Sequence, residues 1–178
     1  MNLTISASVV PVNVGSIIDA RGMTSIGNAA VALIRKRAGE GRAFTGGDFR
    51  PYSTRPIYIS RNRGTGARLA PKGGRPSRTG ASVFYSGGYA EYKRASTGSG
   101  VVNLTLSGQL MRSIAVAKAT ARAVVVQAGG GTVAYAGAVN DARPFMGIAR
   151  DELPAIERVA TAEVSRHIAR EQGATRGR

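Results

Sequence analysis

Between Gly41 and Gly100 the chain turns to Gly, Pro, Ser, Thr and Arg and offers few large aliphatic side chains. No other feature restricts the fold as strongly, because compact monomers rarely tolerate loop composition on this scale. Two β-rich pieces interrupt the stretch, Ile57-Tyr58-Ile59 and Ser82-Val83-Phe84-Tyr85. Pairing them makes a long hairpin whose tip, 61–80, carries Arg61, Arg63, Arg68, Lys72, Arg75 and Arg78 and no acidic residue. Six like charges repel one another, so the tip is either a solvated loop or an arm awaiting an anionic partner.

The apolar residues that could build a core lie on either side. Leu3, Ile5, Ala7 and Val9 alternate with polar residues, the period of a half-buried strand that Pro11 ends. From Ser16 to Ala38, the apolar positions Ile18, Ile26, Ala29, Ala30, Leu33 and Ile34 recur at helical spacing. Arg35-Lys36-Arg37 stands where positive charge favours a helix C-terminus, and Gly39 is the expected stop. Gly22 and Gly27 weaken that helix by up to ~1 kcal/mol each relative to alanine, so tertiary packing has to support it. At the other end, Asp151 caps a last helix with Glu152 in its first turn, and Leu153, Ile156, Ala160, Val164 and Ile168 form one stripe. The polar tail 173–178 is expected to fray.

The most informative stretch is 102–148. Leu104, Leu106, Leu110 and Ile114 give a short apolar face broken by Ser107-Gly108, and 123–127 is β-branched enough to prefer a strand. Gly129-Gly130-Gly131 supplies a turn, and Val133, Tyr135 and Val139 predict a second, antiparallel strand. On this reading the glycine cluster precedes no helix and forms no phosphate cradle. Pro144 marks the exit from that strand, while Phe145, Met146 and Ile148 make an apolar plug beneath the last helix.

Charge points to the class of partner. The 178 residues carry 25 Lys and Arg against 10 Asp and Glu, a net +15, which calls for an anionic partner. Nucleic acid is the first candidate and an acidic protein neighbour the second. Arginine dominates, with only Lys36, Lys72, Lys93 and Lys118 as lysines; its planar fork suits phosphates and carboxylates, although a GC-rich coding bias gives the same excess. There is no cysteine, which removes disulfides and thiolate metal sites. No apolar run approaches the ~20 residues of a membrane span, and 1–14 lacks the pattern of a signal peptide. The only histidine, His167, falls in the last helix with no nucleophile to serve, the acids are scattered, and Lys72-Gly73-Gly74-Arg75 lacks the P-loop spacing. No catalytic residue, metal site or cofactor is expected.

Leu104-Thr-Leu-Ser-Gly-Gln-Leu-Met-Arg-Ser-Ile114, the Tyr135-Ala136 pair and Arg143-Pro-Phe-Met-Gly-Ile148 before a final helix resemble the head-to-tail joining, tail-completion and virion-morphogenesis proteins of tailed bacteriophages. Phe49-Arg-Pro-Tyr-Ser53 and Tyr85-Ser-Gly-Gly-Tyr-Ala-Glu-Tyr-Lys93 look like that family's approach to the same region. The likeness covers roughly 16–50 and 85–170; residues 57–84 read as an insertion whose fold the resemblance does not supply.

The resemblance implies a homo-oligomeric ring, six-fold favoured and twelve-fold the alternative, at the virion neck. Its neighbours would be portal or adaptor proteins and tail-terminator or tail-tube proteins, and the ring would be assembled in the host cytoplasm. The expected fold is one α+β domain over 1–178: a small antiparallel sheet of about three to five strands, packed by a long N-terminal and a C-terminal helix, with a basic arm. The arm would contact DNA phosphate or clasp an acidic ring. Tyr52, Tyr85, Tyr89, Tyr92, Tyr135, Arg143 and Phe145 are the interface or packing candidates; the alternative for the tyrosines at 85, 89 and 92 is stacking on exposed bases. A free, sequence-nonspecific basic nucleic-acid-binding module is the competing function.

Overall fold

Asp19 opens the longest N-terminal element by accepting the Gly22 N–H at 2.7 Å, and helix α1 (Ala20–Gly39) follows. Its carboxyl is held below the ordinary range by that backbone hydrogen bond, helped by Arg170 at 3.5 Å. The computed structural model describes Ala7–Ser8 and residues 18–61 and 71–176. The predicted helix therefore starts four residues later than Ser16, and the start of the predicted N-terminal strand and its Pro11 stop lie outside the described residues. Ala7–Ser8 is strand β1.

The remaining elements are β2 (Ile57–Ser60), β3 (Arg75–Pro76), β4 (Ser82–Tyr85), α2 (Gly88–Thr97), α3 (Gln109–Ser113), β5 (Ile114–Ala119), β6 (Val124–Ala128), α4 (Val133–Ala142) and α5 (Leu153–Arg176). This is an α+β fold, with antiparallel strands packed by the N-terminal and C-terminal helices. Among the described residues the strands form two three-stranded sheets rather than the single sheet expected, in the orders β1-β6-β5 and β2-β4-β3.

The hairpin in 102–148 is built differently from the expectation. Strand β6 pairs with β5, residue 114 opposite 128 and 116 opposite 126, across a turn in which Thr120 N–H donates to Ala123 O at 2.8 Å. The predicted second strand, 133–139, is helix α4. Val133 and Tyr135 have the spacing of a strand, but alanines at 134, 136, 138 and 142 favour helix. On α4 both of those larger residues are exposed, and the buried residues are Ala136 and Gly137. The triglycine is thus followed by a helix after all, through a turn of 3-10 helix. Pro144 follows a helix, not a strand, and Arg143 takes the extended backbone that a residue before proline prefers.

Two aliphatic clusters hold this part together. Ile34, Ala38, Phe49, Leu110, Met111, Ile114, Val126, Ala136, Phe145 and Met146 meet in the larger one, and Ile18, Ile26, Ala30 and Ile156 join α1 to α5 in the other. Ile148 contacts both. The tight glycine at 27 has its reason here: a Cβ would come within 2.5 Å of Val124 Cγ2 and 2.7 Å of Val116 Cγ2, so its absence lets α1 lie close on the sheet.

Helix α5 departs from its predicted stripe at both ends. Ile156, Val159, Ala160 and Val164 pack against α1, whereas Leu153 and Ile168 stay exposed. The cap is not Asp151: Ala149 N–H donates to Glu152 Oε2 at 2.8 Å. The helix also continues to Arg176, through most of the tail expected to fray.

The third cluster, Val83, Tyr85 and Tyr92 with Ile57, Ile59, Tyr89, Ala95 and Leu106 around it, belongs to the aliphatic-poor middle. The predicted hairpin forms here, with Tyr58 opposite Phe84 and Ser60 opposite Ser82. Helix α2, which the composition hid, packs on it and is stopped by left-handed Gly98. No helix among the described residues is long and apolar enough to cross a membrane.

Candidate interaction site

A cleft of about 530 Å³ opens between the tyrosine cluster and the 103–110 segment. Local chemistry places each of its walls. The Leu104 to Ile114 run enters α3 through Gly108, whose φ of 74° suits glycine. Arg35 on α1 then satisfies carbonyls that α3 leaves open, donating from Nε to Met111 O at 2.8 Å and from Nη2 to Ile114 O at 2.7 Å. Leu104, Leu106 and Leu110 line the floor. On the opposite wall α4 ends at Arg143, and Asn140 Oδ1 accepts the N–H groups of Phe145 at 3.0 Å and Met146 at 2.9 Å, turning the chain back into the core.

The rim gathers residues from three separate stretches: Tyr52, Tyr89, Tyr135 and Arg143. Arg143 donates to Arg50 O at 3.1 Å and Pro51 O at 3.3 Å, with its guanidinium carbon 4.7 Å from the Tyr52 ring centroid. Tyr52 meets Tyr89 edge-on at 5.0 Å, Tyr89 meets Tyr92 at 5.7 Å and Tyr92 meets Tyr85 at 5.4 Å. Burial, with Tyr52 and Tyr92 nearby, pushes the Tyr89 hydroxyl up to about 12. Burial also raises Tyr52, against the opposing charge of Arg143, and raises Tyr135.

Beneath Tyr52 lies Lys93, 1% exposed. Its ammonium donates to Asn103 Oδ1, to Asn103 O at 3.2 Å and to Tyr52 OH at 3.4 Å. Desolvation, and then the charge of Arg143, pushes its pKa below the ordinary lysine value. With all three donors directed at oxygens, Lys93 ties α2 to the 103–110 segment and has none left for a ligand. Sequence reasoning missed Lys93 and Asn103 as a pair. The only available signal was a lysine following Tyr89 and Tyr92 at helical spacing, and nothing local shows which face of that helix is buried.

Of the seven interface or packing candidates, four therefore line the cleft. The other three are packing residues: Tyr85 and Phe145 are wholly buried and Tyr92 is 2% exposed. Stacking of Tyr85 or Tyr92 on bases is excluded by that burial, and Tyr85 instead donates to Lys72 O at 2.7 Å, anchoring the arm's return strand. Arg61, Lys72, Arg75 and Arg78 are exposed and enter no ion pair among the described residues, while Arg63 and Arg68 lie outside them. From Phe49 to Ala90 the chain contains no Asp or Glu at all, and Glu91 turns its carboxylate back to the Gly87 N–H at 2.7 Å. Among the described residues no group of three His, Cys, Asp or Glu side chains could hold a metal ion. Chemically, the assembly offers an apolar cleft with a tyrosine and arginine rim beside an acid-free cationic hairpin.

No family model, curated protein or solved structure matches this chain.

Proposed function

We propose that this protein is a structural subunit of the tailed-bacteriophage neck, a non-catalytic homo-oligomeric ring that joins the DNA-filled head to the tail around the genome channel. The observation that carries the reading is where the resembling motifs lie in space. Leu110, Met111 and Ile114 from the first, Ala136 from the second, and Phe145 and Met146 from the third share one core cluster. Residues spread over some forty positions of sequence thus act as one packing unit, as expected if they are a single inherited element. Arg143 and Tyr135, from the same motifs, border the cleft. In a ring the tyrosine and arginine rim suits a neighbouring subunit, since these side chains anchor interfaces. The arm would meet DNA phosphate or an acidic ring.

Cryo-electron microscopy of the neck tests this: the chain should occupy a closed ring, with 61–80 directed to the channel or to an adjacent ring. Absence of the chain from any ring overturns the reading. Removing 61–80 should abolish head-to-tail joining, and intact joining would take the arm out of the mechanism. The net charge of +15 also favours a second reading, a free basic module. That reading requires a monomer or dimer whose duplex affinity falls steeply with salt.

A further inference from the structure

The outer face of the β2-β4-β3 sheet is dressed differently from its inner face. Ile57, Ile59, Val83 and Tyr85 turn inward to the tyrosine cluster, so the alternate residues turn out. Tyr58 of β2, Phe84 of β4 and Arg75 of β3 stand in one register across all three strands. Tyr58 is 65% exposed, and its ring lies 4.9 Å from that of Phe84 at 43°. Arg61 follows directly on β2 and Arg78 lies in the turn between β3 and β4, both exposed. No carboxylate occurs in this part of the sequence to offset them.

From this geometry we infer that the Tyr58-Phe84-Arg75 row is a stacking platform for single-stranded nucleic acid. The local charge disfavours pairing of this face with the same face of a second copy, which would set Arg61, Arg75 and Arg78 against their own counterparts. A polyanion is the fitting occupant, and among polyanions the exposed ring selects one with flat apolar faces to cover it. Duplex DNA hides its base faces in its own stack, so only unpaired bases can lie on Tyr58, while Arg61, Arg75 and Arg78 receive the phosphates. The neck reading requires no unpaired strand, so this binding activity is independent of it.

The test is fluorescence anisotropy with the full chain and labelled oligothymidine of about 20 nucleotides, beside oligouridine and a duplex of equal length. Single strands should bind more tightly than duplex, and whichever of oligothymidine and oligouridine binds tighter identifies the strand chemistry. Tyr58→Ala should weaken single-strand binding roughly tenfold and leave duplex binding and the salt slope unchanged, with Tyr58→Phe restoring most of the loss. Arg75→Ala should weaken single strand and duplex alike and reduce the salt slope by about one. Tyr58 is a surface residue, so an unchanged melting temperature certifies the fold of its variants. Equal affinity for duplex and single strand, indifference to Tyr58→Ala, or displacement of the strand by polyglutamate as effectively as by unlabelled oligonucleotide would each overturn the platform.

Discussion

The aliphatic half of the molecule, with α1, α5 and the β5-β6 hairpin, and the tyrosine half, with α2 and the β2-β4-β3 sheet, treat positive charge in opposite ways. In the first, the buried arginine is structural and tied to a carboxylate. Arg37 is 2% exposed and pairs with Glu152, and its Nη2 donates to Phe145 O at 2.8 Å and Gly147 O at 2.6 Å. One guanidinium thereby joins the end of α1 to the Arg143–Ile148 motif and to the start of α5. In the second half the described arm cations are exposed and without ion pairs, and only Lys93 is turned inward, toward neutral oxygens. A net charge read from composition mixes these populations. The functional charge is the part that the fold leaves uncompensated.

The contrast can be broken most forcefully at Arg37. Replacing it with Met leaves Glu152 without its cationic partner and two carbonyls without this donor, and chemical denaturation should show a loss of about 3–5 kcal/mol. A loss below 1 kcal/mol would mean that the aliphatic half does not depend on its internal cation.

Gly27→Ala should come next, at about 1–3 kcal/mol of destabilisation despite the gain in helix propensity, because the new methyl must displace Val124 and Val116. A stabilised variant would show that α1 can move off the sheet.

The tyrosine half should reveal itself by pH. Tyr89 holds its proton more tightly folded, at about 12, than unfolded, at about 10. Its contribution is therefore fully present below pH 10 and is lost as pH rises toward 12. Denaturant titrations between pH 8 and 11.5 should show stability falling at the alkaline end, more gently in Tyr89→Phe. The same alkaline slope in both proteins would remove Tyr89 as its source. Lys93 works in the opposite sense, since its folded pKa is lowered: the strain of burying its charge is relieved as pH rises through that value toward its unfolded pKa.

The smallest stability effect belongs to the arm. Arg61→Ala and Arg78→Ala should each change unfolding free energy by no more than about 0.5 kcal/mol, since both side chains are exposed. A larger loss of stability would mark these cations as part of the fold and dissolve the contrast between the halves.

Much of this was legible in the chain. The α1 periodicity, the pairing of 57–59 with 82–85 and the middle of the α5 stripe follow from local patterns of period two or 3.6, and the structure bears them out. The failures share a cause. Val133 and Tyr135 have a strand's spacing, but the alternation of burial that spacing implies is absent, because both face out of a helix. Helix α2 was hidden because its buried residues are Tyr92 and Lys93, bounded by glycines, rather than the aliphatic stripe that marks a helix from sequence. The rim of the cleft draws on residues 52, 89, 135 and 143, and no local pattern encodes a meeting across that distance.

Sequence by itself determined the polarity pattern: which stretches could bury aliphatic surface, where glycine would end a helix, and that the middle of the chain would carry cations without acids. Tertiary structure alone decided which of those cations were compensated. Burial and pairing depend on neighbours distant along the chain, as when Glu152 reaches Arg37 across 115 positions, whereas Tyr58 rests against the ring of Phe84 and stays 65% exposed.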